Sequence, residues 1–232
     1  MRAIILAAGL GSRLRGHTQS PKCLLELQGK SLLQHQLDAL ERLGVDDIHV
    51  ILGYRNEEVR RTLPEHVKCH VYDAYELTNN LWTLGSFSEL LAGTCLVFFA
   101  DVRVSLDALS ELVASTSEIT LLADGRQCLG GTMRVVAKGE VLVDMGSHIP
   151  VEQGDGNFIG VARFGPQAAT RLAEKLRQCM SANTRQQDYY TVVIPELARS
   201  TSAHVIWMSG KPWVEIDDEQ DLNKASDIAF AA

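Results

Sequence analysis

An α/β fold, with a mostly parallel mixed sheet layered between helices, is predicted by three observations. Apolar runs of strand length alternate with amphipathic stretches of helix length along most of the chain. Glycine, proline or asparagine punctuates many of the junctions. The alternation breaks over 132–164, where strand-like runs follow one another directly, which adds antiparallel strands to a parallel core. At 232 residues the chain can bury one substantial core, and a single domain spanning 1–232 is expected.

Each element carries its own signal. Residues 3–6 form an unbroken apolar run before glycine, as in a strand buried on both faces. Ser31 caps a helix over 31–43, with Leu33, Leu37 and Leu40 on one face and Gly44 to stop it. Residues 47–52 are the second strand, followed by a polar helix over 56–63 that Pro64 ends. A strand at 67–72 and a helix over 81–91, striped by Leu84, Phe87 and Leu91, come next. The most apolar strand, 94–100, ends at Asp101. A helix at 105–114 and a strand at 118–123 precede a hairpin, 132–137 and 141–144 around Gly139, and a strand at 158–164. Helices at 166–180 and 189–198, a strand at 204–208 and a last helix at 218–229 close the pattern. The sum is a three-layer, Rossmann-like arrangement.

Composition narrows the function classes. A net charge of −7 argues against a nucleic-acid-binding surface, which would be basic. No stretch approaches the ~20 apolar residues that span a bilayer, and the N-terminus lacks a signal-peptide pattern, so no membrane partner is expected. The five cysteines are odd in number and widely spaced, which fits reduced thiols and a cytoplasmic protein.

The chemistry is concentrated in Leu6-Ala7-Ala8-Gly9-Leu10-Gly11-Ser12-Arg13-Leu14 and in Pro21-Lys22. A buried strand runs into a turn without side-chain bulk at Gly9 and Gly11, so backbone N–H groups can approach an anion closely. Arg13, Arg15 and Lys22 make this corner locally basic in an acidic chain. Two familiar phosphate motifs fail on one residue each. The dinucleotide fingerprint lacks its third glycine, where Leu14 stands, and the P-loop pattern starting at Gly11 has His17 in place of lysine. Asp101, alone after an apolar strand, reads as a metal ligand or a capping residue; Asp217 reads as a ligand or as the N-cap of the last helix. In an open parallel sheet the turn after the first strand and Asp101 share the carboxyl-end rim, where ligands bind.

The motif Leu6-Ala7-Ala8-Gly9-x-Gly11-Ser12-Arg13-Leu14, with Thr18 and Pro21-Lys22, resembles the signature of the nucleotidyltransferases that make activated sugars and alcohols. Asn79-Asn80, Ala100-Asp101, Gly160-Val161 and Glu215-Ile216-Asp217 resemble their phosphocholine cytidylyltransferase branch, so the likeness covers nearly the whole chain. It implies nucleotide binding by Leu6, Ala7, Ala8, Gly9, Gly11, Ser12, Arg13, Lys22 and Asn80. Arg13 and Lys22 would act as the catalytic cations on the β- and γ-phosphates, and Asp101 and Asp217 would hold Mg²⁺. One departure stands at Val102-Arg103, where relatives often place asparagine after the aspartate. Asn79-Asn80 in place of a Gly-rich stretch favours CTP as donor.

A small phosphate- or phosphonate-bearing acceptor is the expected partner, of phosphocholine or 2-aminoethylphosphonate type. Asp188, Tyr189 and Tyr190 offer a carboxylate and aromatic faces for its ammonium group, although such tyrosines also serve as amphipathic core residues. Cys128-Leu129-Gly130-Gly131 offers no aromatic to a choline group. A homodimer is a candidate assembly. Two alternatives remain: a sugar-1-phosphate uridylyl- or thymidylyltransferase, and a non-catalytic nucleotide-binding regulator. His66 and His70 read as surface residues of a strand, where a spacing of four does not converge on a metal.

Overall fold

Residues 1–11, 20–126, 133–217, 219–226 and 228–230 are described by a computed structural model. The first half contains β1 (Arg2–Ala7), β2 (Glu26–Leu27), β3 (Lys30–Ser31), α1 (Leu32–Arg42), β4 (Asp47–Leu52), α2 (Asn56–Arg60), β5 (Lys68–Val71), α3 (Asn80–Ser86), β6 (Cys95–Phe99), β7 (Val102–Val104) and α4 (Leu106–Ala114). The second half contains β8 (Ile119–Asp124), β9 (Arg134–Lys138), β10 (Val141–Gly146), β11 (Gly156–Phe164), α5 (Pro166–Ser181), α6 (Ile194–Ala198), β12 (Ala203–Trp207), β13 (Trp213–Glu215) and α7 (Glu219–Ser226).

Nine strands form one sheet in the order β5-β4-β1-β6-β11-β8-β12-β10-β9. The strands β5, β4, β1 and β6 pair in parallel, as do β8 and β12. Only β11 and β10 run against the rest, through antiparallel pairings with β6, β8, β9 and β12. The sheet is therefore mixed and mostly parallel, as the sequence predicts.

Side chains alternate across β1 with a period of two, and this alternation feeds two cores. Ala3, Ile5 and Ala7 pack with Leu33, Leu37 and Leu40 of α1 and with Leu109 and Leu112 of α4. Ile4 and Leu6 pack on the opposite face with Leu81 and Leu84 of α3, Leu172 and Leu176 of α5, and Ile194 and Leu197 of α6. Burying each such side chain is worth about 1.5–3 kcal/mol. A third, smaller cluster joins Leu27, Leu32, Val214, Ile216 and Ala225.

Local signals explain where elements begin and end. The Ser31 hydroxyl accepts from Gln34 N at 3.1 Å, so α1 starts at the expected cap. The helix expected over 81–91 stops at Ser86, because Phe87 takes a non-helical backbone (φ −121, ψ 36) before a single 3-10 turn at Ser88–Leu90. The helix expected over 189–198 is divided as well: Pro195 has no N–H to extend a preceding helix, so a 3-10 turn at Tyr190–Val193 leads into α6 with proline in its first turn. Two pairings were not legible in sequence, the β2–β3 hairpin and the β7–β13 ribbon.

His70 corrects the surface reading. It is partly buried, its Nε2 lies 2.8 Å from Nδ1 of buried His49, and the two rings stack. His66 remains on the surface, paired with Glu41 at 3.2 Å.

Candidate active site

From β1 the chain builds outward in opposite directions, to β4 and β5 on one side and to β6 on the other. That reversal leaves a crevice beyond the carboxyl ends of β1 and β6. A cleft of about 560 Å³ occupies it. Leu6, Ala7, Ala8, Gly9 and Gly11 line one wall, Asn79, Asn80 and Thr83 another, and Lys22, Asp101, Glu215 and Asp217 a third. Of the residues expected to bind nucleotide, Ser12 and Arg13 lie outside the described residues, as does the stretch 128–131.

Backbone geometry shapes the β1 turn. Gly11 sits at φ +57, the left-handed region that glycine adopts without strain, and a Cβ there would lie 3.5 Å from the Lys22 Cβ. Ala8 O accepts from Tyr54 N at 3.2 Å, which ties the turn to the end of β4.

Lys22 is the centre of the third wall. Its Nζ donates to Asp101 Oδ2 at 2.6 Å and to Asp217 Oδ1 at 2.5 Å. Burial works against the ammonium, yet the two carboxylates more than offset it, and the Lys22 pKa stands above its ordinary value. Asp101, Glu215 and Asp217 each bring a carboxylate oxygen within 4.8 Å of the others. Burial, with Asp101 and Asp217 beside it, pushes the Glu215 carboxyl up to about 7. Asp101 Oδ1 is buried and has no hydrogen-bond partner among the described residues. Three crowded carboxylates, one with an orphaned oxygen, form a donor set suited to a hard divalent cation.

The β7–β13 ribbon brings these residues together. Val102 pairs with Glu215 and Ile216 N donates to Asp101 O at 3.0 Å, so strands more than a hundred residues apart hold the acids side by side. Sequence reasoning missed Glu215, although a period of two places it on the same side of an extended chain as Asp217. Cys23 also lines the cleft, and burial pushes its thiol up to about 12, so it offers no thiolate nucleophile.

The acceptor expectations divide. Tyr189 lines the cleft and is 41% exposed, with its ring 6.0 Å from that of Phe99. Tyr190 is corrected to a core residue: it is fully buried between Phe99 and Phe164, and its hydroxyl has no partner among the described residues. Asp188 lies outside the cleft lining, beside Arg185 at 3.5 Å, while its backbone carbonyl accepts from Leu81 N. Asn80 does line the cleft, but its Oδ1 accepts from Tyr190 N at 2.8 Å. Phe99 and Phe158, unremarked in sequence, add aromatic faces to the cleft, edge to face at 5.8 Å.

Residues 3–123, over half of the chain, match the family of the MobA-like NTP transferase domain. The chain belongs to that family. As a nucleotidyltransferase it is 26% identical to the choline-phosphate cytidylyltransferase of Streptococcus pneumoniae, over 98% of both chains. It is 24% identical to the CTP:phosphoglutamine cytidylyltransferase of Campylobacter jejuni, over 96% of this chain and 98% of that one. The solved CTP:phosphocholine cytidylyltransferase of Streptococcus pneumoniae superimposes on this fold with a TM-score of 0.82 at 24% identity, covering 97% of each chain. The inositol-1-phosphate CTP transferase of T. maritima does so at 0.74 and 21% identity, over the whole of this chain and 98% of that one.

Proposed function

We propose that this nucleotidyltransferase is a Mg²⁺-dependent cytidylyltransferase, moving CMP from CTP to a small phosphate- or phosphonate-bearing alcohol or amine. The observation that carries the reading is the convergence of Lys22, Asp101, Glu215 and Asp217 on the crevice beside the Gly9–Gly11 turn. CTP is favoured because two curated relatives aligned over nearly their whole length are named as cytidylyltransferases.

The reaction is an in-line displacement at the α-phosphorus. An acceptor phosphate oxygen forms the new O–P bond, the Pα–O–Pβ bond breaks, and pyrophosphate leaves with the electron pair. The acceptor oxygen is already an anion, so the site's work is positioning and charge stabilisation rather than proton removal. In this reading the backbone of Leu6–Gly11 frames the nucleotide, and Lys22, with Arg13 of the same sequence motif, grips the β- and γ-phosphates and then the departing pyrophosphate. Asp101, Glu215 and Asp217 would hold Mg²⁺, and the orphaned Asp101 oxygen fits that role. When bound, the ion would offset the charge gathering on the phosphate oxygens. Tyr189, Phe99 and Phe158 present aromatic faces to an acceptor with a cationic tail.

Pyrophosphate release on a grid of CTP, UTP and dTTP against phosphocholine, 2-aminoethylphosphonate and sugar 1-phosphates tests the reading. Release with CTP and a small amino- or ammonium-bearing acceptor is expected. Release only with a sugar phosphate, or nucleotide binding without turnover, overturns it.

A further inference from the structure

A second cavity of about 230 Å³ shares no residue with the cleft, although the two meet at the Asp101 turn. Phe98 and Val102 belong to its wall, whereas their neighbours Phe99 and Asp101 belong to the cleft. Lys30, Arg42 and Arg103 bring cations to this wall, and among the described residues Asp38, ion-paired with Lys30, is its one carboxylate.

Arg103 is the key group. Its Nη1 donates to Gln28 Oε1 at 2.7 Å, and its guanidinium lies 3.9 Å over the Phe230 ring. Burial lowers its pKa, and no carboxylate among the described residues offsets that cost. A guanidinium held in a cavity with only neutral partners is complementary to an oxyanion, which its planar fork can meet with two hydrogen bonds. Gln36, 4% exposed, also belongs to the wall. The rest of the wall, Phe98 and Leu109 among it, is apolar. The volume falls below the ~300–1,000 Å³ of drug-sized pockets, so the occupant has a short carbon stem.

We propose that this cavity is a second ligand site, taking a small phosphate monoester whose head pairs with Arg103 and whose stem packs against Phe98 and Leu109. The occupant would be felt at the active site. Gln36 Nε2 donates to Phe99 O at 2.8 Å and to Val102 O at 2.7 Å, bracketing the turn that carries Asp101. Arg103 itself pairs with Val214, next to Glu215. By linkage, an occupant that tightens metal binding at the carboxylates is itself bound more tightly when the metal is present. This coupling rests on the proposed metal role of the three acids; the site itself does not.

Methyl-resolved NMR of the full chain, titrated with n-propyl phosphate and separately with butyrate, distinguishes these points without an activity readout. Saturable shifts at Val104, Leu106 and Leu109 with n-propyl phosphate are expected, with butyrate at least tenfold weaker. Arg103→Gln should weaken binding at least tenfold. Ala39→Leu, which fills the cavity while leaving every charge, should do the same and serves if Arg103→Gln does not fold. Shifts confined to Ala7 and Ala8 in the cleft, or full affinity in either folded variant, overturn the site. Equal binding of butyrate overturns the phosphate assignment.

Discussion

Lys22 relieves a repulsion that Asp101 and Asp217 would otherwise impose on each other, and by doing so it stands where a divalent ion would compete. Lys22→Met should therefore have two opposite effects. Turnover should fall at least tenfold, about 1.4 kcal/mol of transition-state stabilisation, while Mg²⁺ should bind the free enzyme more tightly. Steady-state kinetics and calorimetric Mg²⁺ titration read the two effects, and unchanged turnover in a folded variant would remove Lys22 from the mechanism. Tyr190→Phe tests the corrected acceptor assignment. Its buried hydroxyl lacks a partner, so deleting it should stabilise the protein by about 1 kcal/mol and leave KM for the acceptor within twofold. A melting temperature that drops, with acceptor KM rising severalfold, would restore Tyr190 to the site. The Asp188-Tyr189-Tyr190 run shows why residue roles were only partly legible. An acid beside two aromatics looks the same in sequence whether the rings face a cleft or the core, and here Tyr189 faces the cleft and Tyr190 the core.

At the level of elements, β11 carries a device that shapes the cleft wall. Its register with β8 shifts between Phe158 and Ala162, and Gly160 inside that bulge sits at φ +84 with the Phe99 side chain pressed against it. A Cβ there would lie 2.8 Å from the Phe99 ring. Gly160→Ala should cost about 1–3 kcal/mol from backbone conformation alone, roughly 2–12 °C in melting temperature, and should displace Phe99 and raise acceptor KM. A melting curve unchanged from wild type would refute this. The central strands β1 and β6 were legible because each carries an unbroken apolar run, and α1 because its cap and stripe are local. The β7–β13 ribbon was not, since three-residue strands carry no periodicity and their pairing depends on a partner far along the chain.

Across the whole molecule, the acidic side of stability is governed by a knot at the start of β4. Burial alone would raise the Asp47 pKa, but hydrogen bonds from Lys68, Arg2 and His49 hold it well below the usual carboxylate range. Burial outweighs Asp47 at His49 and lowers that imidazole's pKa. Both groups bind protons more readily in the unfolded chain, so stability rises with pH across their windows. Falling pH should thus erode stability first below about 6.5, through His49 together with His35 and His70, which burial lowers in the same way, and again below about 4, through Asp47. Urea melts in a pH series read this directly. His49→Gln should flatten the upper part of the slope, and a profile identical to wild type would exclude His49 as its source. The ribbon has one further consequence. During synthesis, Asp101 emerges long before Glu215 and Asp217, so a nascent chain brings the three carboxylates together only once β13 docks beside β7.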